Sequence, residues 1–142
     1  MDARILQNPI HHLKPPEVDC VGAELPVVDL ISKMQEVTPQ HTRGRGAVLV
    51  TRASELVGII TERDLIRRVV GPNKDINKTV VSQVMTSQPE TLTKEDPIVF
   101  ALNLMHLGHY RHVPLVDDKN SPVGVITSKN IAQYISQFMV TA

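Results

Sequence analysis

The sequence predicts a mixed fold of helices and strands, built from two copies of one strand–helix–strand–strand–helix unit. The first observation is a repeated phrase, because GIITERDL at 58–65 returns as GVITSKNI at 124–131, at a spacing of 66 residues. The second is an apolar pattern typical of one helix face, which also occurs twice. The third is a set of short runs rich in valine and isoleucine, which are typical of strands. An internal duplication predicts two related units, each with a related site.

The first copy contains every predicted element in order. Its leading strand is predicted near Val18–Val21. Its first helix carries apolar residues at the i, i+3, i+4, i+7 spacing of one helix face, namely Val27, Leu30, Ile31 and Met34. Two strands and a second helix complete the unit, at Ala47–Val50, Leu56–Ile60 and about Glu62–Val70.

The second copy repeats this order from a leading strand near Glu90–Thr93. Asp96 is predicted as the N-cap of its first helix, with Pro97 at the first helical position and Gly108 at the C-terminal stop. The helix face repeats the apolar pattern at Ile98, Ala101, Leu102 and Met105. The strands and second helix are predicted at Val113–Val116, Val123–Ile126 and Ser128–Phe138.

The two copies align at two different spacings. The spacing of 66 holds back to Arg45, which aligns with Arg111, whereas the first helices align at 71, with Pro26 on Pro97. The difference predicts about five extra residues in a first-copy loop near 37–44. The predicted organisation is an N-terminal lead at 1–16, a first repeat at 17–72, a linker at 73–82 and a second repeat at 83–140.

Composition narrows the function classes. The 142 residues carry 15 basic and 15 acidic side chains, and this zero net charge disfavours nucleic-acid binding. Cys20 is the single cysteine, so no internal disulfide is possible and a reducing compartment fits. Residues 1–17 contain no long apolar stretch, so neither a secretory signal nor a membrane span is expected. A cytoplasmic location is therefore expected. No arrangement of residues indicates a nucleophile with its base or an acid–base pair, so the chain is not expected to be an enzyme.

The repeated residues resemble the CBS (cystathionine β-synthase) domain, and two tandem copies resemble a CBS pair, or Bateman module. The resemblance covers about residues 13–140 and rests on VMTSQPETL (84–92), RHVPLVD (111–117), GIITERDL and GVITSKNI. It implies an α+β fold of two β-α-β-β-α repeats, packed about a pseudo-twofold axis with two clefts between them. It also implies a non-catalytic regulatory sensor, commonly a homodimer, of an attached or associated enzyme or transporter. For this chain the regulated partner is expected to be a separate protein. The implied ligand contains adenosine: AMP, ADP or ATP, or alternatively S-adenosylmethionine or NAD(H).

By this resemblance Asp64 is the ribose ligand and Thr61 contributes a hydroxyl near ribose or phosphate. A carboxylate accepts ribose hydroxyls with charge assistance, and a helix N-terminus suits phosphate. Arginines provide forked phosphate contacts, and His112 adds a donor that titrates near neutral pH. The full expected set is Val18, Cys20, Arg45, Ile60, Thr61, Arg63 and Asp64 in the first copy, and Met85, Thr91, Arg111, His112, Pro114, Ile126, Thr127, Lys129 and Asn130 in the second. Within it, Val18, Cys20 and Ile60, and then Met85, Thr91 and Ile126, are the residues expected to line adenine slots.

Structural explanations of the same residues remain open. Thr61-x-x-Asp64 also fits a capping box, in which the two side chains satisfy each other's backbone N–H groups. Gly58 and Gly124 also fit a close approach of two backbones. Because Asn130 is a neutral amide, its oxygen accepts a ribose hydroxyl without charge assistance, and the Asp64 site is expected to be favoured for ribose.

Two other interpretations of the chain compete with nucleotide sensing. One is a dimerising interaction module whose clefts are vestigial, and the other is nucleic-acid binding, which requires a steep salt dependence. His106, His109 and His112 are spaced by three, but Gly108 interrupts the helix and no metal site is expected. The remaining polar residues are expected away from the sites, His11 and His12 in a mobile lead and Arg67 and Arg68 on an outer helix face.

Overall fold

The computed structural model describes residues 3–16, 18–39 and 45–139, which fall into two compact units. One comprises Asp19–Pro89 and is named the Asp64 unit. The other comprises Met1–Val18 together with Glu90–Ala142 and is named the Asn130 unit. The Asn130 unit is discontinuous in sequence, because the N-terminal segment folds with the second repeat.

The Asp64 unit is a four-stranded sheet with helices. Its elements in chain order are β1 (Cys20–Gly22), α1 (Val27–Gln35), β2 (Ala47–Arg52), β3 (Glu55–Thr61), α2 (Glu62–Leu65), which continues as a π-helix at Ile66–Val70, and β4 (Thr86–Ser87). The strand order is β1-β2-β3-β4, and only the β1–β2 pair is parallel. The predicted strands and helices of the first copy are confirmed, with small shifts at their ends. Most of the predicted loop insertion at 37–44 lies outside the described residues.

The core of the Asp64 unit forms where α1 packs on the sheet. Val27, Leu30 and Met34 are buried on one face of α1, as their spacing predicts. The strands contribute alternate side chains such as Val48 and Ile60, which are also buried.

The Asn130 unit contains a two-stranded antiparallel pair between two longer helices. Its elements are α3 (Ile98–Gly108), β5 (His112–Val116), β6 (Pro122–Thr127) and α4 (Ser128–Ser136), preceded by short 3-10 helices at Ala3–Gln7 and Ile10–Leu13. The α+β class and the strands predicted at Val113–Val116 and Val123–Ile126 are confirmed. The leading strand predicted at Glu90–Thr93 is wrong, because only Leu92 forms a bridge, parallel to Leu115. The backbone N–H of Thr93 donates to the Asp96 carboxylate at 2.8 Å, so the chain turns here instead of extending.

The first helix of each repeat begins after an extended proline. Pro97 is the N-cap of α3, with φ −64° and ψ 146°, and Pro26 has the same role in α1. The predicted N-cap Asp96 is therefore wrong by one residue, and its carboxylate bonds to Thr93 instead. Helix α3 ends at Gly108 as predicted, although the left-handed residue that follows is His109, with φ 55°. No described helix has both the length and the apolar composition that crossing a membrane requires.

The N-terminal segment and the segment before β4 are equivalent elements. Pro9 bridges to Pro97, and Val80 bridges to Pro26, at the same spacing of 71 residues that relates the two helices. The next residue of each segment, Ile10 or Val81, is fully buried. Each segment therefore precedes one repeat in sequence and packs with the other repeat.

The packing of the N-terminal segment with the second repeat changes the interpretation of the N-terminus. His11 and His12, expected in a mobile lead, lie in a 3-10 helix, and the backbone N–H of His11 donates to Lys94 O at 3.0 Å. The segment is held because Ile10 is buried in the core of the Asn130 unit. The repeat boundaries at 17–72 and 83–140, which follow the sequence duplication, stay a prediction.

Candidate ligand site

Asp64 lies in the first turn of α2, where its carboxylate is held by a capping box. The backbone N–H and the hydroxyl of Thr61 donate to Asp64 Oδ2 at 2.9 and 3.1 Å. In return the backbone N–H of Asp64 donates to Thr61 Oγ1 at 3.2 Å. The structural explanation of this motif is therefore confirmed. The capping box uses only one of the two carboxylate oxygens.

The other carboxylate oxygen, Oδ1, has weaker contacts. The Thr86 hydroxyl donates to it at 3.3 Å. This distance is longer than that of a typical O–H···O bond, which is about 2.5–3.0 Å. The Arg68 guanidinium lies 3.9 Å away as an ion-pair partner. The side chain of Asp64 is 13% exposed. Oδ1 is thus a rigidly held, negatively charged acceptor whose hydrogen-bonding capacity is only partly used.

Arg68 connects this carboxylate to the β4 segment. Its Nη1 donates to the backbone oxygens of Met85 and Val84, at 2.6 and 3.3 Å. Arg68 is exposed, as expected for an outer helix face, and its side chain also reaches the β4 segment. Its spacing of four residues from Asp64 was a signal for this pairing. Thr86 is 22 residues from Asp64, and no local pattern indicates that contact.

The Asn130 unit repeats the capping box with an amide. The backbone N–H of Thr127 donates to Asn130 Oδ1 at 3.0 Å, and the backbone N–H of Asn130 donates to Thr127 Oγ1 at 3.1 Å. The amide oxygen is therefore engaged by the helix cap. This is the same role that Oδ2 has in Asp64.

The companions of the carboxylate are replaced in the Asn130 unit. A Cβ on Gly58 would collide with Met85 Sδ and lie 2.9 Å from Thr86 O, so a close approach of backbones requires this glycine. A Cβ on the equivalent Gly124 would lie 3.4 Å from Pro15 Cβ, which places Pro15 where the Asp64 unit has Thr86. The position of Arg68 is taken by Tyr134, whose hydroxyl accepts from Asn8 Nδ2 at 3.0 Å. The hydroxyl donor and the cation are thus both absent from these equivalent positions.

The strand registers correct the alignment of the two copies. Thr61 pairs with Ala47, and its equivalent Thr127 pairs with His112. The strands β2 and β5 therefore align at a spacing of 65, one residue less than the gapless alignment predicts. The loop between β5 and β6 holds the extra residue.

As a consequence, Arg45 and Arg111 are not equivalent. The backbone N–H of Glu62 donates to Gly46 O, and the corresponding N–H of Ser128 donates to Arg111 O, so Arg111 aligns with Gly46. The predicted equivalence of the two arginines is wrong. A shift of one residue reverses the side of a strand that a side chain occupies.

Arg45 is a buried structural residue. Its Nε lies 2.6 Å from Asp19 Oδ2, and its Nη1 donates to Lys33 O at 3.0 Å. Its side chain is 8% exposed, whereas Arg111 is exposed. These contacts tie the end of α1 to the chain entering β1, and they give no support to the phosphate contact expected of Arg45.

His112 is a neutral ring rather than a group poised to titrate at neutral pH. Burial, and secondly the nearby Arg111, lower its pKa from the ordinary 6.5. The uncharged imidazole therefore dominates at neutral pH, which differs from the expectation for this residue. His112 remains able to donate one hydrogen bond in this form.

The residues expected to line adenine slots belong to both units. Ile60 and Ile126 are fully buried in the cores of their units, so neither lines an open slot. Met85 lies beside Gly58 in the Asp64 unit, whereas Thr91 belongs to the Asn130 unit. Three further residues of the expected set are placed by the structure as follows: Val18 in the Asn130 unit, Cys20 in β1 of the Asp64 unit and Pro114 buried in β5.

Two charged residues of the expected set keep matching positions. Arg63 and Lys129 lie in the first turns of α2 and α4, and both are exposed.

The thiol of Cys20 is half-buried. Burial, and secondly the negative charge of Asp19, raise its pKa. Among the described residues, no group of three or more metal-ligating side chains converges.

The fold and the site together define a duplicated α+β module in which a capped helix follows each long hairpin. The sequence model of the family described as "CBS domain" matches residues 4–71 and 81–137. CBS domain-containing protein CBSCBSPB5 of Arabidopsis thaliana is 36% identical over 106 residues, which are 75% of this chain and 18% of that protein. The chain therefore spans less than a fifth of that relative's length.

Solved structures have the same fold. The crystal structure of the CBS domain NE2398 is 26% identical, with a TM-score of 0.78, and the match covers 91% of this chain and 98% of that one. The CBS domain pair of MJ0100, solved with 5′-methylthioadenosine and S-adenosyl-L-methionine, has a TM-score of 0.74 at 20% identity, over 90% of this chain and 99% of that one. The chain belongs to the CBS-domain family and carries two copies of the domain.

Proposed function

We propose that the chain is a non-catalytic regulatory CBS pair that binds an adenosine nucleotide of the AMP, ADP or ATP class at the Asp64 cluster. This cluster is defined as Thr61, Asp64, Arg68 and Thr86. The observation that carries the proposal is the difference between the contacts of the two Asp64 carboxylate oxygens. Oδ2 is taken by the helix cap, while Oδ1 has only a 3.3 Å hydroxyl contact and a 3.9 Å ion pair.

A ribose diol matches this arrangement. Its hydroxyls donate to a charged oxygen, and charge-assisted bonds of this kind are about twice as strong as neutral ones. The capping box holds the carboxylate in place before binding, so little side-chain entropy is lost when the ligand arrives. The exposed Arg63, one residue before Asp64, supplies a cation for the phosphate.

The ligand class has support from a structural neighbour. The MJ0100 pair was solved with two adenosine-containing ligands. The alternative ligands S-adenosylmethionine and NAD(H) also contain adenosine, so they belong in the same test.

The proposed regulation is a shift between conformations. A nucleotide favours one conformation by no more than the difference between its affinities for the two.

A thermal-shift panel tests the function with AMP, ADP, ATP, S-adenosylmethionine, NADH and a DNA oligonucleotide. A ligand at a hundred times its dissociation constant stabilises by about 2.7 kcal/mol, which raises the melting temperature by several degrees. Asp64→Ala is expected to remove the response, whereas Asp29→Ala, at an exposed carboxylate of α1, keeps it. A flat response of the wild type to all five small ligands contradicts the proposal.

Exposed apolar side chains favour a second function, a dimerising interaction module. Ile66 and Val70 lie one helical turn apart, and Phe100 and Leu107 lie two turns apart on α3, with Leu107 76% exposed. Exposed apolar surface of this kind marks protein contacts. We propose a homodimer, and light scattering is expected to give twice the chain mass, with Leu107→Glu shifting it toward the monomer. A dimer combined with a flat nucleotide panel favours the interaction module.

A further inference from the structure

We infer that Asn130 disfavours the ribose diol at the second site, because it presents a neutral hydrogen-bond donor where Asp64 presents a charged acceptor. The inference rests on the proposed function and refines it. In this account the chain binds one ribose ligand, at Asp64, and the two sites differ in hydrogen-bond polarity as well as in charge.

The helix cap decides the polarity. The backbone N–H of Thr127 needs an acceptor, and it finds Asn130 Oδ1 at 3.0 Å. The amide nitrogen has no acceptor capacity, so a flipped amide would place two donors against each other. Such a flip leaves the backbone N–H unsatisfied at a cost of about 1–3 kcal/mol. The oxygen of Asn130 is therefore fixed on the cap.

The second terminal atom of each side chain follows from this assignment. In Asp64 the capped atom is Oδ2, so the atom left for a ligand is Oδ1, an anionic acceptor. In Asn130 the atom left is Nδ2, which carries two N–H donors and accepts nothing. Sequence reasoning allowed the amide oxygen to accept a ribose hydroxyl, but the capping geometry assigns that oxygen to the backbone.

The surroundings of the two side chains agree with this difference. Thr86 and Arg68 direct a hydroxyl and a guanidinium toward Asp64 Oδ1. The equivalent residues are Pro15, which has no side-chain donor, and Tyr134, which carries no positive charge at neutral pH. Three positions thus change together, from an acceptor supported by a donor and a cation to a donor that needs neither.

The ligand group that suits Asn130 is an acceptor, such as a carbonyl or phosphate oxygen. A ribose hydroxyl can accept from this donor through its oxygen, but it loses the charge-assisted bond that it makes at Asp64. A hydrogen bond to a charged group contributes enough free energy that losing it lowers the affinity by at least about tenfold. One ligand per chain is the expected result with AMP as the probe.

Isothermal titration of the full chain with AMP tests the inference through two isosteric variants. Asp64→Asn keeps the cap acceptor but replaces Oδ1 with an amide nitrogen, so AMP affinity should fall at least about tenfold with little change in melting temperature. Asn130→Asp should raise the stoichiometry from one to two. Asp29→Asn on α1 is the matched control and should change neither quantity.

The diol itself is probed with 2′,3′-dideoxyadenosine 5′-monophosphate. Wild type should bind it at least about tenfold more weakly than AMP, while the difference between the two compounds should be much smaller in Asp64→Asn. Two equal AMP sites in the wild type, or unchanged AMP affinity in Asp64→Asn, overturn the inference and leave the proposed function standing. A wild type that binds no adenosine ligand overturns the proposed function, and this inference with it.

Discussion

The Asp64 unit and the Asn130 unit form the same junction between a hairpin and the helix that follows it, here called the corner, with different side-chain chemistry. In both, a threonine at the end of a hairpin caps the following helix and receives a side-chain oxygen in return. In the Asp64 unit the second side-chain atom is a charged oxygen beside Thr86 and Arg68, whereas in the Asn130 unit it is an amide nitrogen. The cap, which the fold needs, is present in both units. The second carboxylate oxygen, which the cap does not use, is present in one, and this separates the structural role of the motif from its proposed ligand role.

A second difference concerns the two arginines that the sequence places in register. Arg45 is buried against Asp19, whereas Arg111 is exposed on the entrance to β5. Arg45→Ala is expected to reduce the free energy of unfolding by about 3 kcal/mol, because it removes a buried ion-pair partner. Urea denaturation measures this loss.

Arg111→Ala is the matched control for that experiment. An exposed position away from buried contacts is expected to change stability by no more than about 0.5 kcal/mol. Equal losses for the two variants would restore the gapless alignment and contradict the strand registers given above.

The two glycines of the repeated phrase provide the next comparison. Gly58→Ala brings a methyl group into Met85 Sδ and close to Thr86 O, and overpacking of this kind costs about 1–3 kcal/mol. Gly124→Ala meets atoms only at 3.3 and 3.4 Å, so its expected loss is below about 1 kcal/mol. Thermal denaturation of both variants checks the order, and a larger loss for Gly124→Ala would contradict it.

The hairpin loops differ in how well their residues suit the backbone. Ala53 and Ser54 connect β2 to β3 with φ of 52° and 66°, which matches a two-residue type I′ turn that favours Asn-Gly. The longer loop of the other unit already has an asparagine, Asn120, at φ 60°. The double variant Ala53→Asn, Ser54→Gly is expected to stabilise the chain by about 1 kcal/mol. A lower melting temperature in the double variant would show that the turn is not strained.

The smallest expected effect is an acid-side pH dependence of stability that arises from His112 in the Asn130 unit. His112 has a pKa below 6.5 in the folded chain, and the aligned residue of the other unit, Ala47, does not titrate. The unfolded chain therefore binds more protons below pH 6.5, so the stabilisation is complete above that pH and is lost as pH falls through the folded pKa. His112→Gln should flatten the acid side of the stability profile, and the exposed His106→Gln should not. Identical profiles for His112→Gln and wild type would exclude this assignment.

The helices and strands were predictable because their patterns are local. The apolar spacing of α1 and α3 and the runs of β2, β3, β5 and β6 each need only a window of a few residues. The capping box was also predictable, since Thr61 and Asp64 are three residues apart. The failures involve partners that are distant in sequence. The packing of each preceding segment with the other repeat depends on the burial of Ile10 and Val81. One apolar residue in each segment is too little to show from sequence that the two segments are equivalent.

The companions of Asp64 were hidden for the same reason. Thr86 reaches Asp64 through the pairing of β4 with β3, and neither strand indicates this partner by itself. The extra residue between β5 and β6 was hidden because an alignment without gaps still matches apolar residues to apolar residues. Arg45 and Arg111 therefore seemed equivalent in sequence, while the backbone pairing separates them.

The most direct test of the difference between the two corners is a crystal structure of the chain grown with AMP. The account predicts the ribose hydroxyls within hydrogen-bond distance of Asp64 Oδ1, with the Asn130 corner free of any ribose diol. Diols bound at both corners with equal occupancy would contradict it.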